Sequence, residues 1–422
     1  MATEWPNISL GEVVEIRHGF AFKSKFFTDT PGPIVLTPGN FREEGGFTYK
    51  NPEKFYCGPI PDRYILSPGD LLVVMTEQKA GLLGSAALVP ATGTFLHNQR
   101  LGLVMERAPE RIHRRFLYYL FNSPHVRQQI QATANGTKVR HTSPDRLKEV
   151  QVCLPPLAIQ ERIASILAAY DELIENNLRR IDMLEDMAQA LYREWFCEFR
   201  FPGHEDVDLV DSELGPIPLG WAIGHFREIC QSVRSPVSPH KEPDAAFYHY
   251  SFAAYDRDQT PDVEYGRDVK SSKLKVAQPS VLLAKLNPRI PRVWRAIPPG
   301  DLPAYASSEF IVLVPKRTKL TYLYAAASNS EFTRRLAAMS VGTSSSHQRL
   351  KVQDFEQMPV VLPPDALVDL YDKHCGPMLE LAEKLRQQNA NLRTTRDLLL
   401  PKLVSGEIDV SDLDIDTDWL VA

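Results

Sequence analysis

The chain repeats one plan, first over residues 136 to about 199 and again over 342 to about 400. Each copy opens on a Gly-Thr step, Gly136-Thr137 or Gly342-Thr343, which is followed by a polar and basic stretch. A short apolar segment then ends in Leu-Pro-Pro, and a long amphipathic pattern begins. Internal similarity at this spacing predicts two related modules in tandem, each followed by a long helix.

Length and composition limit the class of protein. A chain of 422 residues is long enough for two or three domains. It has no apolar run near the roughly 20 residues needed to cross a bilayer, and its start lacks the order of a signal peptide. The five cysteines are scattered without a Cys-x-x-Cys pair, which argues against a disulfide framework and against a structural zinc site. We therefore expect a cytoplasmic, reduced protein.

The net charge of −5 is unevenly distributed. Eleven acidic residues and no lysine or arginine lie in segments 203–213 and 403–422, so the rest of the chain carries a balance of +6. Phosphate binding depends on local basic surface rather than on total charge. The two modules therefore stay candidates for binding nucleic acid.

Within each module, short apolar runs alternate with proline and glycine turns. The runs at 71–75 and 310–314 are typical of β-strands, and helical patterns lie near 111–131 and 320–339. This mixture predicts an α+β fold for both modules. A cluster of proline and glycine at 202–221 marks the boundary between them.

Two long segments have apolar residues at alternating steps of three and four, which is the a/d pattern of a coiled coil. Asn177 and Gln388 interrupt the pattern as polar positions that can fix register. The alternative is a helix that packs on its own globular domain, but two matching helices in one chain favour pairing with each other. The predicted seam comprises Leu167, Tyr170, Ile174, Asn177, Ile181, Leu184, Ala188, Leu191 and Trp195 in the first helix, and His374, Met378, Leu381, Leu385, Gln388, Leu392, Thr395 and Leu399 in the second.

The path of the chain sets the direction of this pair. The first helix leaves module one and ends where module two begins, so a second helix packed against it must run back. We expect an antiparallel pair with one module at each end. A helix of about 40 residues spans roughly 60 Å. Since DNA completes a helical turn in about 34 Å, the modules could lie one turn or more apart on a duplex.

With these features the chain resembles, over nearly its whole length, the specificity subunit of type I DNA restriction–modification enzymes. It departs from the family pattern at Gln278-Pro279-Ser280-Val281, which replaces a Pro-Gly-Asp turn in the second module. We expect different loops there but the same fold. The matching segments are Ser67-Pro68-Gly69-Asp70-Leu71-Leu72, Asn98-Gln99-Arg100-Leu101-Gly102, Arg193-Glu194-Trp195-Phe196, Ser212-Glu213-Leu214-Gly215-Pro216-Ile217-Pro218, Leu286-Asn287-Pro288-Arg289, Ser307-Ser308-Glu309-Phe310-Ile311-Val312-Leu313 and Leu398-Leu399-Leu400-Pro401-Lys402-Leu403-Val404-Ser405-Gly406-Glu407-Ile408.

The resemblance implies two tandem target recognition domains whose long helices form an antiparallel coiled coil. The expected boundaries are 1–156 for the first domain, 157–201 for the central helix, 202–364 for the linker and second domain, 365–404 for the distal helix and 405–422 for the acidic tail.

It also implies a division of labour among subunits. This chain would read a bipartite DNA site, one half per domain, with the coiled coil as spacer. Two methyltransferase subunits, holding S-adenosylmethionine, would bind its helices and methylate adenine. A restriction subunit, using ATP and Mg²⁺ to translocate DNA, is a further component of such complexes. The chain itself would bind no cofactor or metal and carry no catalysis.

Candidate DNA-contacting residues follow from side-chain chemistry. Base edges are read by Arg, Lys, Asn, Gln, Ser and Thr, and phosphates by Lys, Arg and backbone amides. For any single residue the alternative is a solvated surface charge or a turn residue. Placement of a basic stretch after Gly-Thr in both modules favours DNA contact for the group. The candidates are His97, Asn98, Gln99, Arg100, Thr137, Lys138, Arg140 and His141 in the first module, and Lys285, Asn287, Arg289, Arg292, Arg295, Thr343, Ser344, Ser345, Ser346, His347, Gln348, Arg349 and Lys351 in the second.

Two other functions are weighed against this one. Asp62, Glu77 and Lys79 have the form of a Pro-Asp…Glu-x-Lys nuclease site, in which two carboxylates would bind a divalent metal. That motif is short, and the second module lacks it. A purely architectural protein on a coiled coil would account for the helices, but it gives no reason for basic segments at matched positions.

Overall fold

The computed structural model describes residues 5–48, 54–78, 80–136, 138–339 and 348–416. The chain divides into two compact units: unit 1 is Met1–Leu173 with Leu392–Ala422, and unit 2 is Ile174–Asn391. Each unit therefore combines one module with segments of both long helices. Across the described residues, no helix is both long and apolar enough to span a membrane.

Unit 1 is built on short strands and three short helices. Its strands are β1 (Asn7–Ser9), β2 (Val14–His18), β3 (Phe27–Thr28), β4 (Ile34–Leu36), β5 (Phe55–Tyr56), β6 (Leu71–Val74), β7 (Thr76–Glu77), β8 (Ala86–Leu88), β9 (Phe95–His97), β10 (Leu101–Glu106), β11 (Arg140–His141) and β12 (Gln151–Cys153). Its short helices are α1 (Arg114–Asn122), α2 (Pro124–Ala132) and α3 (Pro144–Lys148), after which the long helix α4 (Leu157–Tyr192) begins.

The centre of unit 1 is an antiparallel sheet with the strand order β2-β10-β6-β8. β6 is buried on both faces, which explains its unbroken apolar sequence. Leu71 and Val73 pack into a core with the short helices, whereas Leu72 and Val74 pack on the opposite side. A second sheet has the order β3-β5-β4-β9 with β4 and β9 parallel, and β1 pairs with β12.

Unit 2 begins its module after the acidic connector. Its strands are β13 (Leu209–Val210), β14 (Ile217–Pro218), β15 (Ala222–His225), β16 (Cys230–Val233), β17 (Pro236–Val237), β18 (Ala246–Tyr250), β19 (Asp262–Tyr265), β20 (Lys273–Lys275), β21 (Ser280–Ala284), β22 (Val293–Ala296), β23 (Ala304–Ser307), β24 (Phe310–Pro315) and β25 (Pro359–Leu362). Its helices are α5 (Phe226–Ile229), α6 (Phe252–Asp258), α7 (Leu320–Ser328), α8 (Ser330–Met339) and α9 (Val352–Glu356), and the long helix α10 (Asp365–Val404) follows.

Unit 2 repeats the topology of unit 1. Its central antiparallel sheet has the order β16-β24-β21-β22, its second sheet contains the parallel pair β18 and β23, and β15 pairs with β25. Val281 and Leu283 of β21 pack into one core, and Leu282 and Ala284 into another, as in β6. The predicted α+β modules are confirmed. The altered turn at Ser280 leaves the strand in place, since Ser280 itself begins β21.

The long helices pair with opposite directions within each unit. In unit 1, Asp171 of α4 contacts Arg396 of α10. In unit 2, Ile181 packs against Leu385, and the Tyr371 hydroxyl donates to the Ala188 carbonyl at 2.9 Å. Residues with higher numbers on α4 contact residues with lower numbers on α10. The expected antiparallel pairing is therefore confirmed.

The register predicted for α10 is wrong along most of the helix: His374 and Thr395 are exposed, and the central positions differ as well. Leu381 and Gln388 are exposed, and the buried positions there are Ala382, Leu385 and Asn389. The α10 sequence carries two overlapping apolar stripes, and the one that includes Ala382 packs on α4. The polar residue opposite Asn177 is therefore Asn389 rather than Gln388, with Asn177 Nδ2 donating to Asn389 Oδ1 at 2.9 Å.

The end of α4 also differs from a simple heptad. Regular helix stops at Tyr192, and a single π-helical turn follows over Arg193–Cys197. Trp195 is buried within this turn, where it packs against Tyr371 with ring centroids 6.2 Å apart. Phe199 then adopts a positive φ of 57°, just before the connector to the second module.

The buried amide pair predicts a specific stability pattern. Asn389 Nδ2 also donates to the Ile174 carbonyl at 3.2 Å. The substitution Asn389→Leu therefore leaves the Asn177 amide and the Ile174 carbonyl without this hydrogen-bond partner between the two helices. We expect that single variant to lower the free energy of unfolding by about 1–3 kcal/mol, and Asn177→Leu/Asn389→Leu together to recover most of the loss. Denaturant unfolding monitored by circular dichroism measures both.

The neighbouring Gln388→Leu is the matched control. Because Gln388 is exposed, its replacement should change the free energy of unfolding by less than about 0.5 kcal/mol. Equal unfolding midpoints for Asn389→Leu and Gln388→Leu would contradict the described register.

Candidate nucleic-acid interface

In unit 1, three segments that are distant in sequence lie side by side at one end of the central sheet. The Met75 N–H donates to the Arg100 carbonyl, and the Met75 carbonyl accepts from the Thr142 N–H, both at 2.9 Å. β7 continues from this point and pairs antiparallel with β11. The turn before β10 and the basic stretch after Gly136 are thereby brought together.

Arg140 is held in place within this group. Its Nη1 lies 3.2 Å from Glu77 Oε1, and its Nη2 donates to the Gln131 carbonyl at 2.7 Å. The Glu77 side chain is buried, whereas a third of the Arg140 side chain stays accessible. Lys138 and His141 on either side are exposed. The arrangement presents positive groups from a fixed backbone, as phosphate or base contact requires.

The prediction that His97 contacts DNA is wrong. Its ring is buried, with Nε2 2.9 Å from the Leu101 carbonyl. Burial disfavours the charged imidazolium and lowers the pKa of His97 to about 4. Asn98 is a turn residue whose Oδ1 accepts from the Arg100 N–H at 3.0 Å. Of this group only Gln99 and Arg100 have exposed side chains.

Unit 2 contains the same three-segment arrangement. The Lys285 N–H donates to the Glu309 carbonyl at 2.8 Å, and the Lys285 carbonyl accepts from the Leu350 N–H at 2.9 Å. One step further, the Asn287 N–H donates to the Gln348 carbonyl at 2.9 Å. Lys285 thus occupies the position that Met75 has in unit 1, with a basic segment on its outer side.

Positive charge concentrates around Lys285. Burial lowers the pKa of its ammonium, Glu309 opposes this, and the charges of Arg234 and Arg349 lower it further. Arg349 is well exposed and lies 3.0 Å from Glu309 Oε1. An anion at this position would relieve the repulsion among the three cations, which favours phosphate binding.

Arg234 was missed by the sequence analysis. It directly follows β16, the first strand of the central sheet, and is exposed. His18 ends the corresponding strand β2 in unit 1. Neither residue lies in a motif, and only strand pairing reveals that the end of this strand approaches the basic segment.

The loop after β21 contains one candidate that shapes the turn and one that is exposed. Asn287 has a positive φ of 51°, a conformation that asparagine tolerates better than most residues. Its Oδ1 is buried without a hydrogen-bond partner among the described residues, so Asn287 shapes the turn. Arg289, two residues later, is exposed.

Two other predicted contacts are better explained by packing. Arg292 makes a two-pronged ion pair with Asp256 of α6, at 2.7 and 2.8 Å. Arg295 is half-buried, and burial lowers its pKa while Glu383 and Glu380 of α10 favour its charged form. The segment that contains Arg292 and Arg295 has no acidic residues of its own, but acidic residues distant in sequence balance the charge of both arginines. Arg292 and Arg295 are therefore corrected from candidate DNA contacts to residues within the fold.

The remaining candidates are placed as follows. α3 and α9 start 208 residues apart, which matches Arg140 with Gln348 and His141 with Arg349. Lys351 is exposed immediately before α9. Thr137, Thr343, Ser344, Ser345, Ser346 and His347 lie outside the described residues.

The described part of the chain contains no metal site of the kind that a nuclease would need. Glu77 uses Oε2 to accept the Leu83 N–H at 2.8 Å and Oε1 to pair with Arg140. Asp62 lies in a separate exposed turn, and Lys79 is outside the described residues. The described residues include no group of three His, Cys, Asp or Glu side chains that could hold a metal.

Arg349 gives the cleanest test of the interface, because Arg140→Ala would also strand the buried Glu77 carboxylate. We expect Arg349→Ala to weaken binding to the specific DNA site by about 1–3 kcal/mol relative to competitor DNA. A gel-shift competition measures this discrimination.

Arg334→Ala serves as the control, since Arg334 is an exposed arginine of the same unit that pairs with Glu331 on its own helix. It should leave the discrimination unchanged. If Arg349→Ala also leaves it unchanged, Arg349 is not part of the interface. Equal weakening on both DNAs would assign it to phosphates.

Comparison with known proteins gives a consistent result. The family model for the type I restriction modification DNA specificity domain matches residues 2–186. The type I restriction enzyme MjaIX specificity subunit of Methanocaldococcus jannaschii is 26% identical over 312 residues, covering 71% of this chain and 70% of that protein. The EcoBI specificity subunit of Escherichia coli is 29% identical over 248 residues, covering 55% of this chain and 49% of that protein.

A solved structure is similar in fold. The S subunit of a type I restriction-modification system from M. genitalium superposes with a TM-score of 0.57 at 14% identity, covering 96% of this chain and 97% of that one. Residues 2–186 therefore match a type I restriction modification DNA specificity domain, and the chain is similar in sequence to type I specificity subunits and in fold to a solved S subunit.

Proposed function

We propose that the chain reads a bipartite DNA site, one half through each unit, with α4 and α10 as the spacer. The observation that carries this proposal is the repeated three-segment arrangement around Met75 and Lys285, which puts a basic segment at the same position of two like sheets. Two equivalent interfaces with different side chains suit two unlike half-sites.

The long helices supply a spacer of suitable length. α4 has 36 residues and α10 has 40, which correspond to about 54 and 60 Å of helix. Because both helices contribute to each unit's core, the length of the pair should set the gap between the half-sites. The unspecified bases of that gap would face the helix pair rather than a recognition loop.

The chemistry would belong to partner subunits. We infer that two methyltransferase subunits, which would hold S-adenosylmethionine, dock on this chain, and that a restriction subunit using ATP and Mg²⁺ can join them. Met183 and Met187 are exposed one turn apart on α4 and offer adaptable apolar contact for such a partner. The chain itself contributes recognition rather than catalysis.

The direct experiment is co-expression with the methyltransferase subunit encoded beside it, followed by base-resolution mapping of methylated adenine. A split motif with a gap of constant length is expected. A single continuous motif, or methylation without sequence preference, would contradict the proposal. Steep loss of DNA binding with rising salt would separate this function from that of an architectural scaffold.

The spacer role predicts the effect of lengthening the helix pair. Seven residues inserted into both helices, after Leu173 and before Leu392, preserve the heptad register and add about 10 Å. The gap should lengthen by up to about three base pairs at 3.4 Å each, while both half-sites keep their sequences. Methylation mapping of the variant measures the gap.

An insertion in α4 alone is the control, because it leaves α10 too short to pair and should abolish the fixed gap. An unchanged gap after the double insertion would show that the helix pair does not set the spacing.

A further inference from the structure

Unit 1 contains a chain of polar contacts that links its recognition domain to both long helices. The Tyr119 hydroxyl of α1 donates to Asp171 Oδ2 of α4 at 2.7 Å. Arg396 of α10 donates through Nη1 to Asp171 Oδ1 at 2.6 Å. One carboxylate therefore joins the domain, the first long helix and the second.

Unit 2 contains the same chemistry built from other residues. The Tyr324 hydroxyl of α7 donates to Glu185 Oε1 of α4 at 3.0 Å. Arg386 Nη2 of α10 lies 2.8 Å from the same oxygen. α7 follows the central sheet of unit 2 as α1 follows that of unit 1. In both units, α4 supplies the acid, α10 supplies the arginine and the recognition domain supplies the tyrosine.

These contacts are largely removed from water. Both tyrosines are buried, and both arginines have side chains less than 15% exposed. Burial, with the adjacent carboxylate, raises the pKa of each tyrosine, so both keep their hydrogen to donate. The carboxylates of Asp171 and Glu185 are partly buried, with 28% and 23% of their side chains exposed. Each has fixed donors on two sides, and losing one donor leaves its charge less compensated.

The geometry of a helix makes such a contact sensitive to position. A shift of one residue along α4 moves a side chain by about 1.5 Å and turns it by about 100°. Asp171 or Glu185 would then face away from its tyrosine. The contact therefore admits one position of each recognition domain along the helix pair, whereas apolar packing alone would permit several.

We propose that the two tyrosine–carboxylate–arginine contacts fix each recognition domain on the helix pair and so make the protein accept a single gap length between half-sites. Tyr119 and Tyr324 are positioning residues in this account and do not touch DNA. The inference rests on the proposed bipartite recognition and adds how its spacing is made strict.

Removing the tyrosine hydroxyl tests the inference, because it breaks only the contact between the domain and α4. The carboxylate–arginine pair joins α4 to α10 and stays intact in Tyr119→Phe and Tyr324→Phe. Each substitution therefore releases the domain from the helix pair without opening the pair itself. The matched control is Tyr248→Phe in unit 2, whose hydroxyl donates to Asp301 at 3.2 Å within the recognition domain and not to a long helix.

The test uses the full chain assembled with its methyltransferase subunit. Methylation rates are measured on duplexes that carry both half-sites separated by the preferred gap, by one base pair less and by one more. For the double variant Tyr119→Phe/Tyr324→Phe, we expect the rate on altered gaps relative to the preferred gap to rise about tenfold. Tyr248→Phe should leave this ratio unchanged.

In the same double variant, discrimination against a base change inside either half-site should stay unchanged. A general loss of structure would lower this discrimination as well. An unchanged gap ratio, or a loss of half-site discrimination equal to the loss of gap discrimination, would overturn the inference. If the double variant does not fold, the single variants Tyr119→Phe and Tyr324→Phe, each of which releases one domain, should each relax the gap in the same direction. A wild-type protein without any preferred gap would instead refute the bipartite function.

Discussion

The antiparallel packing of α4 on α10 is the interaction on which the rest of the structure depends. In unit 1, Ile163 and Leu167 of α4 share one core with Leu400 and Leu403 of α10 and with the recognition domain. In unit 2, Ala188 of α4 and Tyr371 of α10 share one core with the recognition domain. Neither domain has a complete core without both helices. Each domain is therefore built onto the helix segments of its own unit rather than tethered to them.

Each domain has its candidate DNA-contacting segment at the same end of its central sheet. A strand buried on both faces, β6 or β21, emerges from the sheet and pairs with a basic segment from beyond the short helices. The backbone of this segment is set by strand pairing, whereas its side chains differ between the units. A duplicated frame with unlike side chains can hold two readers in equivalent positions and still let them prefer different bases.

The sequence predicts the duplicated domains and the long helices because both depend on local signals. Apolar periodicity, the Leu-Pro-Pro steps and the continuous strand at 71–74 are properties of neighbouring residues. The register of α10 could not be predicted, since Gln388 and Asn389 are adjacent polar residues and only packing on α4 selects between them. Pairing of Arg292 with Asp256, burial of His97 and the position of Arg234 depend on contacts between distant segments. A list of basic residues taken from the sequence therefore includes side chains that the fold buries or pairs, and it leaves out an exposed arginine beside the candidate interface.

The central claim is that one helix pair holds two separate DNA-reading domains at one spacing. Hydroxyl-radical footprinting of the complete complex on its specific DNA tests it most directly. The account predicts two protected patches of unlike sequence separated by a less protected gap of the same length at every site, and selective loss of one patch in a variant altered at Arg349. A single continuous patch, or two patches lost together in that variant, would contradict it.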